Sequence, residues 1–214
     1  MTITSGANAD AVADFAFTLM LAVARRVCEI DSACRNGDWK KRVSIDIKNK
    51  KLGILGLGAI GKQVALRSRG FDMGLYGYDV FEDKEFNEKY NVKFTSIEEI
   101  FKECDFISVH MPLTEETKHL IDKDLLNTAK ENLVIVNTAR GGVIKEDDLY
   151  EILKSNRIFG AGIDVFETEP AKDSRLLELD NVIIGSHCSA STKGAVRNMS
   201  YMAVDNVLKV LKKK

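Results

Sequence analysis

The sequence predicts an α/β domain built on a doubly wound parallel sheet. Three observations carry that expectation. Short apolar runs alternate many times with segments of helical spacing, and a glycine-rich turn joins the first clear run to its helix. The polar residues with chemical potential fall just past the ends of the runs. Strands that alternate with helices pair in parallel and are covered on both faces.

Each element has its own warrant. Lys51 to Leu55 is a buried-strand pattern, and Ile60 to Arg69 after it has helical spacing. Met73 to Tyr78 gives a second strand. Ser96 then opens a short helix as N-cap, with Glu99 three residues on to complete a capping box. Phe106 to Val109 and Leu133 to Val136 are further strands, and between them Asp122 caps a short helix. Lys145 to Ser155 reads as a helix, Phe159 to Ile163 as a strand and Val182 to Ile184 as the last strand. The final helix runs from Thr192 to Leu211, with apolar positions at Val196, Met199, Ala203, Val207 and Leu211. Ahead of the first strand, Ala9 to Val27 is a helix apolar on more than one face, through Ala11, Val12, Phe15, Phe17, Leu19, Met20, Leu21 and Val23. Such a helix needs cover on most sides. At a domain edge that argues for a partner chain or a further segment.

Composition excludes several function classes. With 31 Lys and Arg against 32 Asp and Glu, the 214-residue chain has a net charge of −1 and no long-range field for nucleic acid or an anionic membrane. The basic end, Lys212-Lys213-Lys214, reads as a solvated terminus favourable to the dipole of a preceding helix. A bilayer span needs about 20 apolar residues, and the longest uncharged apolar stretch, Phe15 to Ala24, is half that. Cys28, Cys34, Cys104 and Cys188 form no CxxC pair and no zinc-binding spacing. Without an export signal ahead of them they read as reduced thiols, so the expected setting is cytoplasmic and no metal is expected.

Chemistry enters with Gly56-Leu57-Gly58-Ala59-Ile60-Gly61, which follows a strand and opens a helix. The first glycine permits the tight turn, the second lets a pyrophosphate approach the backbone, and the third allows close helix packing. The helix N-terminus supplies unpaired N–H groups to the anion. Asp79 stands eighteen residues beyond Gly61 at the end of the next strand. A carboxylate there accepts ribose hydroxyls and repels a 2′-phosphate, so the expected cofactor is NAD. Past later strand ends come His110-Met111-Pro112-Leu113-Thr114, then Asn137-Thr138-Ala139-Arg140-Gly141-Gly142, Asp164 to Pro170, and Gly185-Ser186-His187. Arg140 is suited to hold a carboxylate through two parallel hydrogen bonds. His187 is suited to move a proton on or off a hydroxyl, with Glu169 to stabilise the imidazolium.

Together these residues resemble the NAD-binding domain of the D-isomer-specific 2-hydroxyacid dehydrogenases, a Rossmann-type fold. The resemblance runs in register through Asn8 to Asp14, the glycine motif, Cys104 to Thr114, Asn137 to Gly141 and Gly162 to Pro170. It implies hydride transfer between nicotinamide C4 and C2 of a 2-oxo or 2-hydroxy acid, of phosphoglycerate or glyoxylate/hydroxypyruvate type. It implies Arg140 as substrate-binding residue, Glu169 as acid partner and His187 as general acid/base. Ala59 and Ile60 would lie at the pyrophosphate, Asp79 at the adenosine ribose, Pro112 and Thr117 by the nucleotide, and Thr138 and Asp164 on the nicotinamide side.

The implied organisation is an interdomain and dimerisation helix with its connecting loop over 1–50, the NAD-binding domain over 51–190 and a C-terminal helix over 191–214, with a homodimer formed through the first helix. The resemblance leads to the expectation that the family's separate substrate domain is largely missing. The expectation is therefore a cofactor module that binds NAD but turns over poorly or not at all. A corepressor-like NAD sensor on the same fold is the alternative. A formate dehydrogenase relative would carry glutamine at the position of Glu169. Three departures from the family pattern stand out: that missing domain, Ser186-His187-Cys188-Ser189-Ala190 in place of a proline before the histidine and glycines after it, and Asp14 where glutamate is more usual.

Overall fold

Seven strands form one all-parallel sheet in the order β3-β2-β1-β4-β5-β6-β7. The computed structural model describes residues 3–4 and 6–211, so the basic tail Lys212 to Lys214 lies outside the described residues. The strands are β1 (Lys51–Leu55), β2 (Gly74–Tyr78), β3 (Val92–Phe94), β4 (Phe106–Val109), β5 (Val134–Asn137), β6 (Gly160–Ile163) and β7 (Val182–Ile184). The order reverses beside β1, whose neighbours are β2 and β4, and that is where ligands bind in open sheets of this kind.

Alternate residues of the central strands feed two cores. On one face Leu52, Ile54, Phe106, Val134 and Val136 pack with α1 (Ala9–Ala24) and α3 (Ala59–Ser68). On the other, Leu55, Ile107, Val109 and Ile135 pack with α5 (Ile97–Glu103), α6 (Lys123–Asn127) and α7 (Glu146–Lys154). Both N-cap residues read from the sequence cap their helices, but the Glu99 carboxylate pairs with Lys93 at 3.4 Å, so the box at Ser96 has only its first bond. Ser96 Oγ accepts the Glu99 N–H at 3.3 Å and Asp122 Oδ1 the Leu125 N–H at 2.9 Å. Strand β3 and the helix before it, α4 (Lys84–Tyr90), escaped the sequence reading because a three-residue edge strand and a charged two-turn helix leave almost no periodic signal.

The first helix is shorter than expected and differently covered. It stops at Ala24, and Arg26 at φ 52° separates it from α2 (Val27–Arg35). Ala13, Ala16, Met20 and Ala24 are fully buried, and Val12, Leu19 and Val23 nearly so. The expected partner for these faces is the chain's own sheet. The reason lies in β6, which reads Gly160-Ala161-Gly162: a side chain at Gly160 would reach within 2.8 Å of Val23, and one at Gly162 within 2.8 Å of Leu19. With no side chains there, α1 seats directly on backbone. Arg67 of α3 pins its first turns, holding Asp14 at 2.6 Å and Asp10 at 3.1 Å. The last helix, α8 (Lys193–Leu211), forms as read, but only Ala195 is buried; Val196, Val204, Val207 and Leu211 stay exposed.

Candidate active site

The carboxyl edge of the sheet carries the chemistry. At the end of β1, Gly56 adopts φ 97°, a left-handed conformation that side chains resist, and a Cβ there would stand 2.8 Å from the His110 carbonyl group. A Cβ on Gly61 would lie 2.0 Å from Gly56 O, so α3 can start this close to β1 only with glycine at that position. Space beside Gly58 is open. No side chain caps α3, which leaves the opening N–H groups from Ala59, Ile60 and Gly61 to an anion. Asp79, at the end of β2, accepts the Leu57 N–H at 2.7 Å and is thereby fixed beside the turn. A glycine turn with open space, an uncapped helix start and an acid on the β2 side together fit a dinucleotide.

Further along the edge, β4 and β5 end in polar residues. The His110 imidazole accepts or donates a 2.8 Å hydrogen bond with the buried Ser108 hydroxyl, and desolvation pushes its pKa down to about 3, so the ring is neutral. Thr138 is buried, and its hydroxyl has no hydrogen-bond partner among the described residues. An orphaned hydroxyl at this edge is what a bound polar group would satisfy. Pro112 and Thr117 instead brace one loop: Thr117 Oγ1 donates to Pro112 O at 2.7 Å and accepts the Thr114 N–H at 2.8 Å.

Arg140, Glu169 and His187, from three different loops, line one open crevice of about 510 Å³. His187 Nδ1 lies 2.8 Å from Glu169 Oε2. The other Glu169 oxygen accepts the Phe166 N–H at 3.1 Å. Partial burial pushes the Glu169 carboxyl up, but the hydrogen bonds from His187 and Phe166 and the charges of His187 and Arg140 outweigh it and hold it below the ordinary range. Arg140 is exposed and rests one guanidinium nitrogen on its neighbour's carbonyl, Ala139 O, at 2.6 Å. Asp164 stands behind the trio, fully buried. Its carboxylate accepts the N–H groups of Cys188 and Ser189, both at 3.0 Å, and its carbonyl accepts that of His187 at 2.8 Å.

Two features had no role in the sequence reading. One is His110, quoted there only as the start of a loop. The other is a second histidine beside a carboxylate: His119 Nε2 lies 3.2 Å from Glu167 Oε1 without a hydrogen bond to it, on the rim of the same crevice, while that oxygen accepts the Glu146 N–H at 2.9 Å. Neither shows in spacing, because each pairing joins loops that follow different strands or depends on burial.

Comparison with known proteins gives the family. Residues 17–189 match the family model described as D-isomer specific 2-hydroxyacid dehydrogenase, NAD binding domain. A glyoxylate reductase from Korarchaeum cryptofilum is 39% identical over 215 residues, covering 97% of this chain and 65% of the relative. A D-3-phosphoglycerate dehydrogenase from Methanocaldococcus jannaschii is 42% identical over 209 residues, covering 96% of this chain and 40% of the relative. The chain thus spans about two-thirds of the first relative's length and less than half of the second's. A D-lactate dehydrogenase from Aquifex aeolicus, solved in complex with NAD and lactic acid, superposes with a TM-score of 0.87 at 29% identity, covering 96% of this chain and 67% of that one. No helix among the described residues is long and apolar enough to cross a membrane. By its family match, its sheet order and its glycine turn, the chain belongs to the D-isomer specific 2-hydroxyacid dehydrogenases and is an NAD-binding domain of that family.

Proposed function

We propose that this domain serves NAD-dependent interconversion of a 2-oxo acid and its 2-hydroxy acid, of the glyoxylate/hydroxypyruvate or phosphoglycerate type. The observation that carries the reading is the 2.8 Å His187–Glu169 pair in one crevice with Arg140, on the same sheet edge as the glycine turn. When bound, NAD(H) supplies or accepts the hydride at nicotinamide C4. Gly56, Gly58, Ala59, Ile60 and Gly61 would hold the pyrophosphate, Asp79 the adenosine ribose, and Thr138 the nicotinamide side.

Arg140 turns its guanidinium to the substrate carboxylate and orients C2. In reduction His187 gives a proton to the C2 oxygen; in oxidation it takes that proton back. Glu169, held ionised, fixes the ring through Nδ1 and stabilises the imidazolium. Asp164 sets the angle of the histidine loop. The His187 and Glu169 side chains are 49% and 37% exposed, so water reaches the reacting groups and electrostatic help from them is weak. Cofactor binding is therefore the robust activity of this chain, and turnover by it is slow.

A homodimer belongs to the same reading. Because α1 is covered by its own sheet, its contact is assigned to the arm after α2, where Trp39 and Val43 are 80% and 88% exposed. Arg42 stiffens that arm by pairing with Glu29 and Asp38. A mass by light scattering that stays monomeric at every concentration would remove this part. Reduced cysteines in a cytoplasmic setting complete the reading.

The test is NADH binding by fluorescence, followed by NADH oxidation against glyoxylate, hydroxypyruvate, pyruvate and 3-phosphohydroxypyruvate. Binding lost in Asp79→Ala, with any turnover lost in Arg140→Ala and His187→Ala, supports the assignment. Turnover that survives His187→Ala defeats it.

A further inference from the structure

The loop that carries Glu169 is held through its backbone, at two consecutive peptides. The Phe166 N–H goes to Glu169 itself at 3.1 Å, and the Glu167 N–H goes to Glu146 at 3.2 Å. Glu146 gives its own N–H to the Glu167 carboxylate at 2.9 Å, so the two residues hold each other's backbone. The Ser174 hydroxyl donates to the other Glu146 oxygen and ties in the chain beyond Pro170. Both partners are acids, so charge opposes the pairing and the hydrogen bonds hold it. The place suits an acid: Glu146 is the first residue of α7, where the helix dipole favours negative charge.

The same peptide carries a second contact. A Cβ on Gly141 would lie 1.9 Å from the Phe166 carbonyl carbon and 2.1 Å from its oxygen, so the turn after Arg140 rests directly on the Phe166–Glu167 peptide. Arg140 and Glu146 stand at the two ends of one short stretch, which holds the 3-10 turn Gly141–Val143 and leads into α7. That stretch meets the Glu169 loop at Gly141 and again at Glu146. A single contact by shape lets one loop pivot on the other, whereas a second point with directed bonds stops the rotation.

We infer that Glu146 is a positioning residue: by holding the Glu167 N–H it fixes the peptide next to the one that orients Glu169, and so keeps Glu169 in line with His187 and with the Arg140 turn. Glu146 is not among the residues that line the crevice, so it acts through the loop. This assignment rests on the reading of His187 and Glu169 as the proton-transfer pair and adds what holds that pair in place.

The experiment reads the His187 Nδ1 signal in ¹⁵N spectra of the full chain, with a denaturant midpoint measured beside it. Glu169→Gln sets the scale, because it replaces the charged acceptor at Nδ1 by a neutral amide. Glu146→Asp keeps the charge and the favourable helix start but falls one methylene short of the Glu167 N–H. Glu146→Gln keeps the reach and an oxygen for that N–H but drops the charge. The expected result is that Glu146→Asp carries the His187 signal toward its Glu169→Gln position while Glu146→Gln leaves it near that of the unmodified chain. If Glu169→Gln moves the signal and Glu146→Asp does not, Glu146 has at most a structural part, whatever the midpoints, and the inference falls alone. Movement in Glu146→Gln as large as in Glu146→Asp also overturns it, since charge and not the bond would then be acting. A His187 signal indifferent to Glu169→Gln overturns the proton-transfer pair and this inference together.

Discussion

Asp164 accepts the backbone N–H of Cys188 at 3.0 Å, and through that bond the end of β6 fixes the loop that leaves β7. The second carboxylate oxygen does the same for Ser189 at 3.0 Å. His187 is thus held from below by backbone, at φ 56°, and from the side by Glu169. Asp164→Asn puts an amide donor against one of these N–H groups. The expected loss is about 1–3 kcal/mol of stability, as for a buried group stripped of its partner. The His187 ring signals should broaden as its loop loosens. A denaturant midpoint and a ¹⁵N spectrum matching those of the unmodified chain would show that the loop stands without Asp164.

Packing of α1 makes a prediction of its own. Met20 is fully buried between the helix and the sheet, so Met20→Ala should cost about 2–5 kcal/mol in equilibrium unfolding. Were α1 a loosely attached arm, the same change would cost under 1 kcal/mol and unfolding would show two steps.

The opposite edge of the sheet predicts acid sensitivity. Asp105 is buried, which pushes its carboxyl up. Hydrogen bonds from the Lys51 N–H, Asn132 and Lys130, with the charge of Lys130, bring it below the ordinary range. A carboxyl lower in the folded than in the unfolded chain contributes stability that is complete above its unfolded value. That stability is lost as pH falls through the folded one. The loss therefore begins below about pH 4. Asp105→Asn should be the less stable protein at pH 7, and its deficit should shrink as the pH drops below 4. A deficit constant from pH 7 to pH 2 would mean that ionisation of Asp105 contributes nothing.

Thiol chemistry separates the cysteines. Burial beside β1 pushes the Cys104 thiol up to about 12, so it holds its proton and has no access to reagent. Cys28 is exposed. A disulfide reagent should label Cys28 in the native chain and reach Cys104 only with unfolding. Labelling of Cys104 at the rate of Cys28 under native conditions would contradict its burial, in which a Cβ on Gly53 would stand 3.2 Å from the sulfur.

Most of this architecture was legible before any coordinates, and the exceptions have physical causes. Strands β4 and β5 announce themselves because fully buried parallel strands read as continuous apolar runs. The glycine motif, Asp79, Arg140, Glu169 and His187 stand out in the sequence because they fall just past successive strand ends, and the fold brings them to one sheet edge. What stayed hidden depends on tertiary contact. The apolar excess of α1 looks like an interface until β6 is seen to lack side chains beneath it. The approach of His119 to Glu167 joins residues 48 positions apart in the chain, and no periodicity marks it.

The bare backbone of β6 has a further consequence, for how this domain can change. The strand that seats Leu19 and Val23 on its glycines is the strand that ends in Asp164, one residue past Ile163. A methyl group added at Gly162 would lift α1 and tilt the peptide that aims Asp164 at the histidine loop. The seat of the helix and the support of the proton-transfer group are one piece of chain, so neither can drift without the other. Variation among such domains should accumulate at the exposed rim, around Leu113 and Lys118, where a new side chain alters what is bound and leaves the frame untouched.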